Sequence, residues 1–199
     1  MINVDVRSKF FGKTEILRDI GFALGKGETV AILGPSGIGK STLLRLIAGT
    51  DTDFDGKITR PKHMAIVFQE PTLLPWRSVL QNLTLIISGL SDTDARAALA
   101  RVGLAGKEQM FPGQLSLGQQ RRLALARAFA GKPELLIMDE PFVSLDAEKA
   151  DEMLSLTEDL IRETQPATIF VTHARHEAER LATRVLELEG APATLSRAA

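Results

Sequence analysis

Cysteine is absent from the 199 residues, and its absence removes three kinds of chemistry at once. There is no disulfide scaffold, no cysteine-based zinc site and no thiol nucleophile. Such usage suits a reducing compartment. Net charge is missing as well: 24 Lys and Arg stand against 25 Asp and Glu, for a formal charge of −1. A chain without a basic excess is not built for sequence-independent binding of nucleic acid. Asparagine occurs only at Asn3 and Asn82, so no N-K-x-D guanine motif exists. No apolar run approaches the roughly 18 residues of a membrane span. The longest apolar-rich pieces, such as LTLIISGL at 83–90, are far shorter. The opening MINVDVRSKFFGK has early charges and no apolar stretch, unlike a secretory signal. The chain reads as soluble, and work at a membrane would need another subunit to carry it there.

What remains is ordinary globular usage, with 44% hydrophobic and 25% charged residues. A chain of this length forms one domain, or one domain with a sub-lobe, and buries roughly 70% of its unfolded surface. Strands and helices alternate. INVDV (2–6) alternates apolar and polar residues as a half-buried strand does. TVAIL (29–33), MAIVF (64–68), LLIM (135–138), TIFV (168–171) and RVLEL (184–188) are further strands. Runs such as LLIM lack polar alternation, which fits a parallel strand covered on both faces. Helical patterns cover 40–48 and 147–163, the second with Ala147, Ala150, Leu154, Thr157 and Ile161 on one face. Residues 71–132 differ: helical patterns at 78–87, 92–102 and 117–131 run without a strong strand. The reading is an α/β domain with a mainly parallel sheet, into which a helical lobe is inserted. The core takes 1–70 and 133–199, the lobe 71–132.

Three segments carry chemistry. GPSGIGKS (34–41) fits G-x-x-x-x-G-K-[ST] between an apolar strand and a helix. Glycine lets backbone N–H groups converge on phosphate oxygens, and the helix N-terminus adds positive dipole. Lys40 would bridge the β- and γ-phosphates, and Ser41 would hold Mg²⁺. LLIMDEP (135–141) is an apolar strand ending in two carboxylates. Ligands of open α/β sheets lie beyond the carboxyl ends of strands. Asp139 would then face Mg²⁺, and Glu140 would polarise the attacking water. Ser116 and Gln119 form a capping-box pattern, so one reading is simply a helix start. The other adds an anion, because Ser116 and Gly118 would present a helix N-terminus to a phosphate. The spacing does not say whose phosphate.

In combination these segments resemble the nucleotide-binding subunit of ABC transporters, from about residue 2 to 190. GPSGIGKST is similar to the Walker A loop, LSLGQ (115–119) to the signature, LLIMDEP to Walker B. VSLD (143–146) resembles the D-loop, Gln69 the Q-loop glutamine and His173 the switch histidine. The resemblance implies a P-loop NTPase fold with an N-terminal antiparallel β part. It implies ATP held by Gly34, Pro35, Ser36, Gly37, Ile38, Gly39, Lys40, Ser41 and Thr42, with Ser41, Gln69 and Asp139 around Mg²⁺. It implies hydrolysis served by Lys40, Glu140 and His173. It also implies a head-to-tail pair of chains, in which Ser116, Leu117, Gly118 and Gln119 face the partner's ATP and Asp146 organises the interface. Phe11 matches the aromatic that stacks on adenine; the plainer reading of Phe11 is a core phenylalanine.

Two positions depart from the family pattern: Leu117 stands where glycine is usual, and Ala174 where aspartate is usual. QEPTLLPWRSVLQNL (69–83) resembles the nitrate/sulfonate/taurine group of importers, which includes some pyrimidine-precursor systems. There Trp76 would meet the permease, or else lie buried in the lobe. The resemblance implies transmembrane permease subunits, an extracytoplasmic solute-binding protein and a place on the cytoplasmic face of the inner membrane. The chain ends soon after 190, so no C-terminal regulatory domain is expected. Two alternatives remain open: a non-transport ABC-type ATPase, and a module that binds ATP but hardly turns it over.

Overall fold

The computed structural model describes residues 1–197. The chain begins with β1 (Ile2–Phe11), β2 (Thr14–Leu24), β3 (Thr29–Leu33), α1 (Lys40–Ala48), β4 (Asp55–Thr59) and β5 (Met64–Val67). Three helices follow, α2 (Gln81–Thr84), α3 (Asp92–Arg101) and α4 (Leu117–Ala130). Then come β6 (Leu135–Asp139), α5 (Ala147–Thr164), β7 (Ala167–Thr172), α6 (Arg175–Leu181), β8 (Arg184–Glu189) and β9 (Thr194–Arg197). Two compact units divide these elements. The first comprises Met1–Ile66, Glu134–Glu140 and the chain from Gln165 onward; the second comprises Val67–Pro133 and Pro141–Thr164.

In the first unit a six-stranded sheet has the order β5-β6-β7-β3-β8-β9. The pairs β6/β7, β7/β3 and β3/β8 are parallel, and β9 closes the edge antiparallel to β8. Every residue of β3 and β7 is buried, as expected of strands covered on both faces. A three-stranded antiparallel sheet, β2-β1-β4, forms the N-terminal β part. Ile2, Val4, Val6, Leu17, Ile20 and Leu24 of that sheet join Val30, Ile32, Leu43, Ile47, Ile137 and Ile169 in one apolar cluster. The parallel core and antiparallel N-terminal part agree with the sequence reading, but β2, β4, β9 and α6 escaped it. Asp19, with φ 51°, lies within β2, whose fully buried positions Leu17, Ile20 and Leu24 are spaced by three and four rather than two.

In the second unit the helix read at 78–87 reduces to α2 with loose turns around it. Within α2, Asn82 is fully buried, and its amide ties the preceding loop to the helix. Its Oδ1 accepts from Leu74 N–H at 2.8 Å, while Nδ2 donates to the carbonyls of Leu74, Arg77 and Ser78. Residues 141–164 cluster with this helical unit rather than with the sheet. The buried stripe of α5 is Met153, Leu154, Thr157 and Leu160, and Ala147 is exposed. The long side chains at 153 and 160 take the interior, and the acidic first turns are solvated.

Between Val6 and Ser8 the pairing of β1 with β4 shifts register, opposite Gly56. Gly56 has φ +141°, and a Cβ there would lie 2.1 Å from the Asp5 carbonyl oxygen. Backbone cannot yield as a side chain does, so Gly56→Ala should cost about 2 kcal/mol or more. Gly12→Ala, also at positive φ but with open space around its Cβ, should cost less, about 1–2 kcal/mol. Urea unfolding of both variants tests the contrast; equal losses would show that the close approach is not decisive.

Candidate functional site

The buried strand β3 delivers its C-terminal end to the loop 34–39, and α1 begins at Lys40. Gly37 and Gly39 hold φ +81° and +114°, backbone that L side chains rarely adopt. A Cβ on Gly39 would also meet Leu17 Cδ2 at 2.9 Å, so β2 packs directly under the loop. Gly39 is the N-cap of α1 and offers no side chain to the first-turn N–H groups. Those donors point out of the helix start and suit an anion. Pro35, Ser36 and Gly37 are exposed; Gly34, Ile38, Ser41 and Thr42 are half-buried.

Lys40 is only 4% exposed. Its ammonium donates to the carbonyls of Gly34 at 2.8 Å and Pro35 at 3.1 Å, and lies 3.3 Å from Glu140 Oε1. Two of its hydrogen bonds thus go to loop carbonyls, and its charge is paired with a carboxylate. The other oxygen of Glu140 lies 3.3 Å from His173 Nδ1. Glu140 itself sits at φ 45°, a left-handed conformation unusual for a non-glycine residue, while its N–H donates to Val171 O. Beside it, Ser41 Oγ donates to Asp139 Oδ1 at 3.1 Å. Burial pushes the Asp139 carboxyl above the usual carboxylate range; the Ser41 hydrogen bond opposes this and the neighbouring Glu140 charge adds to it. The loop, the strand-end acids and the histidine read from sequence therefore meet in one unit.

The other candidate residues belong to the helical unit. Gln69 is exposed. Ser116 caps α4: its hydroxyl accepts from Gln119 N–H, and the Gln119 side chain accepts from Ser116 N–H. The capping-box reading is realised, and Ser116 and Leu117 remain exposed, Leu117 by 51%. A Cβ on Gly118 would meet nothing within 4 Å, so the helix start is open. Asp146 accepts from Lys149 N–H at 3.0 Å and also pairs with the Lys149 ammonium. That side-chain hydrogen bond is the first cause of its lowered pKa.

Phe11 is 51% exposed, which removes the core-phenylalanine reading. The Lys9 ammonium stands 5.0 Å from its ring centroid. Sequence reasoning passed over Lys9, which is buried and bonds Asp51 Oδ1 at 3.0 Å. The alternation that buries Ile2, Val4 and Val6 would expose Lys9, but the register shift after Val6 reverses its phase. Burial pushes the Lys9 pKa down, and the bonds and charges of Asp51 and Asp53 outweigh it, so the net direction is up. No periodicity reveals such a residue.

A family model described as "ABC transporter" matches residues 17–143. The aliphatic sulfonates import ATP-binding protein SsuB 2 of Rhodococcus jostii (strain RHA1) is 45% identical over 191 residues, covering 94% of this chain and 78% of its own. Its namesake in Nocardia farcinica (strain IFM 10152) is 49% identical over 185 residues, covering 90% and 76%. Among solved structures, an ATP-binding cassette captured as a dimer in a post-hydrolysis state with ADP and Pi superposes with a TM-score of 0.83. It is 26% identical, over 99% of this chain and 97% of its own.

The buried Asp139 predicts a pH-dependent cost. A folded-state pKa above the ordinary 3.8 means that the unfolded chain ionises this carboxyl more readily. The contribution to stability is complete below the unfolded value and is lost as pH rises through the folded value. Asp139→Asn, which can still accept the Ser41 hydroxyl, should therefore unfold at a higher temperature than wild type at neutral pH. That margin should shrink toward pH 4, about the unfolded carboxylate value. Thermal melts across this range test it; a margin that is absent or insensitive to pH would refute the burial cost.

Proposed function

The chain belongs to the ABC transporter family, and we propose that it is the ATP-binding and ATP-hydrolysing subunit of an importer. The observation that carries this reading is the Lys40 ammonium, held between two loop carbonyls and Glu140, with His173 on the far oxygen. Phosphate oxygens are stronger partners for an ammonium than neutral carbonyls are, so a nucleotide competes well for Lys40. Ser41 and Asp139 offer a hydroxyl and a carboxylate side by side, a donor pair that fits a hard, oxygen-preferring cation. Among the described residues no group of three His, Cys, Asp or Glu could hold a metal alone. Ser41 and Asp139 would hold Mg²⁺ together with the nucleotide, with Gln69 as the further ligand that the family resemblance implies, and the ion would supply charge neutralisation to the phosphates.

Glu140 then takes a proton from water as the water oxygen bonds to the γ-phosphorus. The bond from that phosphorus to the β-γ bridging oxygen breaks, leaving ADP and phosphate. His173 contacts the γ-phosphate and Phe11 stacks on adenine, an interaction that reads no hydrogen-bond pattern.

Assembly follows from the open start of α4. Ser116, Leu117, Gly118 and Gln119 would meet the γ-phosphate of a second copy, with Asp146 at the seam. A two-fold contact makes the arrangement reciprocal, so one interface closes two sites. Among the described residues no helix is long and apolar enough to cross a membrane, so permease subunits would hold the pair at the cytoplasmic face. Trp76 supports a docking point there: it is 67% exposed, which removes the buried-lobe reading. Its loop is pinned by Asn82, and Arg127 bonds Thr72. The similarity to sulfonate import proteins favours a small organic sulfonate as cargo, delivered by an extracytoplasmic solute-binding protein.

Two measurements test the reading. Glu140→Gln should bind MgATP as wild type does while steady-state hydrolysis falls by about 10²–10⁴; a rate within threefold of wild type would remove Glu140 as the base. In light scattering, MgATP should convert Glu140→Gln from monomer to dimer, and adding Ser116→Arg should prevent it. A dimer that forms without ATP, or ignores Ser116→Arg, would refute the shared site.

A further inference from the structure

His173 has little to hold it. Its side chain is 52% exposed, and its one ion-pair contact among the described residues, with Glu140, spans 3.3 Å. A ring so placed takes its direction mainly from its own peptide. That peptide is bracketed from both sides by a single buried hydroxyl. Thr172 Oγ1 accepts the Ala174 N–H at 3.0 Å and donates its own proton to Glu177 Oε2. Both Thr172 and Glu177 are buried. A buried carboxyl group needs a hydrogen-bond partner, and this one finds it in the residue immediately before His173.

The bracket matters more because the helix start beside it lacks a side-chain cap. Ala174 is the N-cap of α6, with extended φ −97° and ψ 110°, and its methyl side chain caps none of the first-turn N–H groups. Alanine is among the poorer N-caps, costing about 1 kcal/mol against aspartate or serine. The turn from β7 into α6, which carries His173, is thus secured from inside by the Thr172–Glu177 hydrogen bond. Glu177 lies in the first turn of α6 and Thr172 ends β7, so the bond ties the helix to the sheet across the histidine.

We propose that Glu177, acting through Thr172, is the positioning residue that fixes the His173 peptide and so holds the His173 ring at Glu140. The proposal rests on the reading of His173 as a γ-phosphate contact. A small displacement of a catalytic group is costly, about 10²-fold for 1 Å. Loss of the bracket should therefore appear in turnover and not in nucleotide affinity, since neither residue belongs to the phosphate loop.

The test is steady-state MgATP hydrolysis by full-length Glu177→Ala, Glu177→Gln, Thr172→Val, Thr172→Ser and His173→Ala. Glu177→Ala and the near-isosteric Thr172→Val should each lower kcat about tenfold or more, with KM for ATP within about twofold of wild type. Glu177→Gln keeps an acceptor oxygen and Thr172→Ser keeps the hydroxyl, so both should restore kcat to within about threefold. Should Glu177→Ala fail to fold, the two threonine variants decide the matter. Wild-type kcat in Thr172→Val, or a loss that appears in KM instead, would overturn the positioning role. Wild-type turnover in His173→Ala would overturn the reading of His173 beneath it, an outcome distinct from the first.

Discussion

One ammonium group organises this site. Lys40 is buried among the loop carbonyls of Gly34 and Pro35 and the carboxylate of Glu140. A buried charge is tolerated only when it is paired and hydrogen-bonded, and here two carbonyls accept from it and a carboxylate pairs with it. That requirement links two segments distant in sequence, because the loop follows β3 and the carboxylate follows β6. The sheet meets it through strand order: β6, β7 and β3 are neighbours, all parallel, so their C-terminal ends emerge together. His173, after β7, falls between the other two and reaches the far oxygen of Glu140. The general rule that ligands bind beyond the carboxyl ends of parallel strands has here a specific electrostatic form.

The same arrangement carries local costs. Glu140 adopts a left-handed backbone, and Asp139 is a carboxylate whose burial opposes its ionisation. Neither feature helps the fold in isolation. Strain and desolvation of this kind persist where surrounding structure over-determines them, and fully buried β3 and β7 supply that rigidity. A nucleotide with its metal would relieve part of the cost by giving Lys40 and Asp139 stronger partners. Ligand binding and local stability are thereby coupled at one strand end.

The helical unit presents its features differently. Ser116 and Gln119 satisfy each other, so the start of α4 is complete without any ligand. Leu117 lies exposed at the same turn, and Trp76 is displayed on a loop whose backbone Asn82 holds. The first unit gathers charge inward around Lys40, whereas the second turns Leu117 and Trp76 outward.

The sequence alone determined the elements whose physics is local. TVAIL and LLIM declare buried strands by unbroken apolar composition, GPSGIGKS declares its turn by glycine, and Ser116 with Gln119 declares a helix start. Motif order assigned Lys40 and Glu140 to the same chemistry, but their direct contact and the Lys40 partners at Gly34 and Pro35 came only with the fold. Tertiary structure decided everything that depends on phase or long-range contact. A register shift turned Lys9 inward against an alternation that predicted the opposite. The amide of Asn82 became the buried anchor of the loop at Leu74–Ser78. Thr172 and Glu177, unremarkable as letters, became one hydrogen bond across His173. Local propensity reports what each residue prefers within its own few neighbours. Burial, bulges and buried polar pairs are set by chain that arrives from elsewhere, so only the folded molecule reveals them.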